Sequence, residues 1–107
     1  MSNYRIMIVE DEEVVTADIL MSVEKMGHTV CATASSGLGA IQKAESIRPD
    51  LILMDINLKG NMDGIEAATR IKELYQIPVV YLTSLGKDAV MQRAKLAEPY
   101  EIGRAHV

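Results

Sequence analysis

Short runs of unbroken apolar residues constrain this chain more than any other feature. Ile6-Met7-Ile8-Val9, Leu51-Ile52-Leu53-Met54 and Pro78-Val79-Val80-Tyr81-Leu82 show none of the polar alternation of a half-solvated strand, and Thr29-Val30-Cys31-Ala32 reads as one more strand. Strands buried on both faces belong to parallel sheets covered by helices. Between these runs the period changes. From about Glu12 to Met26, Val15, Ile19, Val23 and Met26 recur at spacings of three and four, and Gly27 follows where a helix would stop. Ser36 is placed to cap a second helix, with Ala40, Ile41, Ala44 and Ile47 as its apolar stripe and Pro49 beyond its end. Asp63 stands three residues before Glu66 and opens a third helix, whose stripe is expected at Ile65, Ala68, Ile71 and Leu74. A weaker helical stretch runs from about Lys87 to Ala97. The order β-α-β-α-β-α-β-α predicts an α/β domain with a doubly wound parallel sheet.

Composition narrows the function. With 107 residues, 49% of them hydrophobic, the chain has the size and apolar content of one folded domain. A formal net charge of −4 argues against a surface made for nucleic acid or acidic lipid. Cys31 is the single cysteine, so neither an internal disulfide nor a cysteine metal cluster is available. No apolar run is long enough to span a bilayer, and the first residues lack a signal-peptide pattern. The expectation is a cytoplasmic protein with no membrane or direct nucleic-acid contact.

The polar residues fall where such sheets bind ligands, outside the carboxyl ends of the strands at the point where strand order reverses. The first strand runs into Glu10-Asp11, the third into Asp55, the fourth into Thr83-Ser84. In the order 2-1-3-4, strands one, three and four are neighbours, and Glu10, Asp11, Asp55 and Thr83 would converge on one pocket. Crowded carboxylates repel one another, and a hard divalent cation offsets that repulsion. Mg²⁺, which takes one or two carboxylates and keeps open positions for phosphate oxygens, suits the set. A carboxylate beside it can act as a nucleophile toward a phosphoryl donor. Singly, these residues have plainer readings. The acidic run Glu10 to Glu13 suits a helix start, Asp55 suits a loop or cap, Thr83 suits a strand, and Asp63-Gly64 suits a turn and helix cap. Their joint placement at one sheet edge favours a site.

Four motifs in order carry a resemblance to the response-regulator receiver family of the chemotaxis-regulator type: Val9-Glu10-Asp11, Leu53-Met54-Asp55-Ile56, Met62-Asp63-Gly64 and Tyr81-Leu82-Thr83-Ser84, within a match from Tyr4 to about Tyr100. The resemblance implies a flavodoxin-like order 2-1-3-4 and a role in a two-component phosphorelay. Asp55 would be the phosphoacceptor and Thr83 the switch hydroxyl. Mg²⁺ would be held by Asp11 directly, by Glu10 through water, by Asp55 and by the backbone carbonyl of Asn57. The donor would be a phosphohistidine on a sensor histidine kinase or a phosphotransfer protein, and the only chemistry of its own would be self-phosphorylation and autophosphatase activity.

Two departures from the family pattern stand out. The loop Asn57-Leu58-Lys59-Gly60-Asn61 has Lys59 where many receivers have proline, is one residue longer, and looks like loops of receivers attached to sensory or hybrid kinases. After Glu98-Pro99-Tyr100, the family's fifth strand, its lysine and its fifth helix have no match. Ala105 stands about where the lysine belongs, and Ile102 where the aromatic switch residue belongs. The segment Glu101-Ile102-Gly103-Arg104-Ala105-His106-Val107 reads as one frame of a common sequencing adapter. Residues 1–100 are therefore expected to be an incomplete receiver domain, residues 101–107 a non-native tail, and any output or kinase domain to lie beyond. Three other classes compete. An aspartate-nucleophile hydrolase needs an acid where Asn57 stands. A dinucleotide-binding domain needs a glycine-rich turn where Glu10-Asp11 stand. A degenerate, non-phosphorylated receiver serving as a protein-interaction module is opposed by the presence of Asp11, Asp55 and Thr83.

Overall fold

The computed structural model describes residues 3–82. Within them β1 (Arg5–Val9), α1 (Glu13–Lys25), β2 (Thr29–Ala34), α2 (Gly37–Ile47), β3 (Leu51–Asp55), α3 (Gly64–Tyr75) and β4 (Val79–Leu82) follow one another as the periodicity requires. The four strands are all parallel, in the order β2-β1-β3-β4. The expected doubly wound, flavodoxin-like order is therefore present. The expected fourth helix, Thr83, the expected absence of a fifth strand and helix, and the boundary at residue 100 all concern residues outside the described ones.

The continuous apolar strands are explained by two cores, one on each face of the sheet. Met7, Val9, Ile52 and Met54 point to one face and pack with Ala40, Ala44, Ala67 and Ile71 of α2 and α3. Ile6, Ile8, Leu51, Leu53 and Leu82 point to the other, where Ile19 and Val23 of α1 cover them. Successive strand residues face opposite ways, so both halves of each run are buried. All of β3 is buried, as suits a central strand.

The starts of α2 and α3 follow their capping residues. Ser36 accepts a hydrogen bond from the Gly39 amide at 3.0 Å, and Asp63 accepts one from the Glu66 amide at 2.8 Å. At the far end of α2, the Arg5 guanidinium donates to the carbonyls of Arg48 and Ile47 at 2.8 and 2.9 Å. Gly27 follows α1 with φ of 91°, a left-handed conformation that glycine adopts without a steric cost.

One expectation about α3 is corrected. Ala68 and Ile71 are buried, but Ile65 and Leu74 are 51% and 59% exposed, and Gly64 and Ala67 take the inward positions instead. Both stripes satisfy a helical period. The rotation that wins brings Gly64 against the end of β3, where a residue with a side chain would not fit.

Candidate functional site

The strand register brings the acids together. Val9 pairs with Met54 across β1 and β3, so Glu10 and Asp55, each the next residue along, leave the sheet side by side. Asp55 in turn pairs with Leu82 of β4. Hydrogen bonds continue past the strand ends, from the Glu10 amide to the Ala34 carbonyl and from the Ile56 amide to the Leu82 carbonyl, each 3.0 Å. Glu10, Asp11 and Asp55 each offer a carboxylate oxygen, and these oxygens all lie within 4.8 Å of one another.

The cluster is mostly withdrawn from water. Asp55 is 1% exposed and Glu10 5% exposed. Glu10 Oε2 accepts from the Glu12 amide at 3.1 Å, and Asp55 Oδ1 accepts from the Asn57 amide at 3.0 Å. Asp11 Oδ2 is buried and has no hydrogen-bond partner among the described residues. Burial pushes the Glu10 carboxyl up to about 7, against a lowering by the Glu12 amide and with further raising by the neighbouring Asp55 and Asp11. Such a shift marks a carboxyl whose ionised form its surroundings disfavour. An oxygen-only donor set with a buried, unpartnered carboxylate oxygen fits a hard divalent cation, so these residues are compatible with Mg²⁺. An open groove of about 680 Å³ adjoins the cluster and is lined in part by Glu10, Asp11, Thr16, Leu20, Thr33 and Lys43. Asp55 is not among its lining residues.

Of the residues expected at the site, Glu10, Asp11 and Asp55 are brought together. Asn57 is exposed and meets the cluster through the hydrogen bond that its backbone amide donates to Asp55 Oδ1. Thr83 lies outside the described residues. Sequence reasoning missed Gly64, which packs against the Asp55 backbone. Its only signal was Asp63-Gly64, which reads equally as a turn and cap. The bond from the Glu12 amide to Glu10 was also missed, since it arises from the path of the chain between β1 and α1. No described helix is long and apolar enough to cross a membrane.

Comparison with known proteins agrees with this geometry. The family model for the response regulator receiver domain matches residues 6–101. The chain is 42% identical over 92 residues to the response regulator protein VraR of Staphylococcus epidermidis, covering 84% of this chain and 44% of that protein. The crystal structure of the response regulator PhyR from Brucella abortus superposes with a TM-score of 0.79 at 27% identity, covering 96% of this chain and 51% of that one. The signal receiver domain of a modulated diguanylate cyclase from Desulfovibrio desulfuricans superposes with a TM-score of 0.75 at 30% identity, covering 98% of this chain and 91% of that one. The chain spans about half the length of the curated relatives it matches. Accepting a phosphoryl group is the general function of this family. By fold, by acidic cluster and by the match over residues 6–101, this chain belongs to the response regulator receiver domain family.

Proposed function

We propose that Asp55 is the phosphoacceptor of this receiver domain and that Glu10, Asp11 and Asp55, with the Asn57 carbonyl, hold Mg²⁺ beside it. The observation that carries this reading is the convergence of three carboxylates within 4.8 Å at the carboxyl ends of adjacent strands. The donor is a phosphohistidine on a sensor histidine kinase or a phosphotransfer protein. A carboxylate oxygen of Asp55 attacks the phosphorus and forms the new O–P bond. The P–N bond to the donor imidazole breaks, and the leaving nitrogen keeps the electron pair. The Asn57 amide holds the Asp55 carboxylate in one orientation during the attack. Glu10 and Asp11 keep negative charge facing the cation rather than the incoming phosphoryl group. Mg²⁺, when bound, neutralises charge on the phosphoryl oxygens. Thr83 is assigned, from the family motif, as the hydroxyl that turns toward the phosphate.

Intact mass after incubation with Mg²⁺ and a small acyl phosphate tests this. The wild-type chain is expected to gain one phosphoryl group only with Mg²⁺, and Asp55→Asn to gain none. A folded wild-type chain that gains nothing would overturn the reading and leave a receiver used for protein contacts alone.

A further inference from the structure

We infer that Gly64 is a positioning residue for Asp55: with no side chain there, the first turn of α3 seats directly on the Asp55 backbone and sets where its carboxylate stands among the acids. A Cβ at Gly64 would fall 2.0 Å from the Asp55 carbonyl oxygen, 2.9 Å from its carbonyl carbon and 3.0 Å from Ile56 Cα. All three neighbours are backbone atoms, so no flexible side chain could swing aside. The Gly64 amide also donates to the Ile56 carbonyl at 3.2 Å, while the Ile56 amide donates to Leu82 of β4 at 3.0 Å. The residue after the carboxylate is thus gripped from two sides, by α3 and by β4.

Gly37 shows the difference between filling space and positioning. A Cβ there would meet Met62 Cγ and the Met62 carbonyl oxygen at 3.1 Å and Ala67 Cβ at 3.2 Å. That is a tight seam of α2 against α3 and the residue just before Asp63, and none of those three neighbours belongs to Asp55 or Ile56. At Gly64 the clash is deeper, and restoring ordinary contact requires a shift of about 1 Å or more. A misplacement of about 1 Å in a reacting group can cost on the order of 100-fold in rate. The effect on phosphoryl uptake rests on Asp55 being the phosphoacceptor; the effect on Asp55 placement does not.

The test compares Gly64→Ala with Gly37→Ala in the full chain. Three readouts are taken: the NMR position of the Asn57 amide, which is bonded to Asp55; the Mg²⁺ affinity; and the rate of phosphoryl uptake from a small acyl phosphate at saturating Mg²⁺ and donor. Folded Gly64→Ala is expected to shift the Asn57 amide, weaken Mg²⁺ binding and slow uptake by roughly 100-fold, while Gly37→Ala leaves all three near wild type. Wild-type values in folded Gly64→Ala, or equal losses in Gly37→Ala, would overturn the inference. If the wild type takes up no phosphoryl group, the proposed function fails, and the Asn57 amide and Mg²⁺ affinity still decide the role of Gly64. If Gly64→Ala does not fold, two cap variants decide it. Asp63→Ala loosens the first turn of α3, and Ser36→Ala loosens that of α2. Displacement of the Asn57 amide in Asp63→Ala alone, reversed in Asp63→Ser, supports the inference; equal behaviour in the two alanine variants overturns it.

Discussion

Glu10 is held out of water beside other acids. Its carboxyl is raised from 4.5 to about 7, first by burial, so the folded, metal-free protein holds that proton more tightly than the unfolded chain does. The resulting stabilisation is fully present below pH 4.5 and is lost as pH rises through about 7. Denaturant midpoints of the metal-free wild type are therefore expected to fall across that window, and those of Glu10→Gln to fall less. Saturating Mg²⁺, which favours the ionised carboxylate, should offset the loss at the alkaline end. Matching pH profiles for wild type and Glu10→Gln would show that Glu10 does not carry this burden.

At the scale of elements, α3 joins core and site. Its capping residue and its period were legible, but its rotation was not. Ile65-Ala68-Ile71-Leu74 and Gly64-Ala67-Ala68-Ile71 are both acceptable stripes, and hydrophobicity alone favours the first because isoleucine and leucine outweigh glycine and alanine. Close approach to a backbone decides for the second, and a sequence shows no backbone. Ile71→Ala is accordingly expected to cost about 2–5 kcal/mol, and Ile65→Ala to stay within about 0.5 kcal/mol; comparable costs by urea unfolding would refute this rotation. Asp63→Ala should cost about 1 kcal/mol through the lost bond to the Glu66 amide, and Asp63→Ser should recover most of it.

At the scale of the whole fold, the sheet divides the interior formed by the described residues into two cores that share strands but not side-chain faces. Ile19→Val and Ile71→Val lie on opposite faces. Each is expected to cost about 1 kcal/mol, and the double variant to equal their sum within about 0.5 kcal/mol. A larger coupling by equilibrium unfolding would mean that the sheet transmits packing strain from one face to the other. The division was foreshadowed by the apolar runs, since only strands covered on both sides lack polar alternation. The acidic cluster was foreshadowed for the same reason: carboxylates interrupt those runs only where a strand leaves the sheet. What remained hidden were bonds donated by backbone amides, Glu12 to the Glu10 carboxylate and Gly64 to the Ile56 carbonyl, which depend on the path of a loop.

The pairing of Val9 with Met54 has a consequence for how faithfully this site is made. A slip of one residue between β1 and β3 would part Glu10 from Asp55, and it would also bring apolar residues of opposite faces level across the two strands. Carboxylates misaligned by such a slip therefore come with a misassembled interior, and the slipped chain loses stability before it loses its site. The hydrophobic interior proofreads the alignment of the acids, so assembly errors remove molecules from the folded pool instead of leaving folded ones with a defective centre.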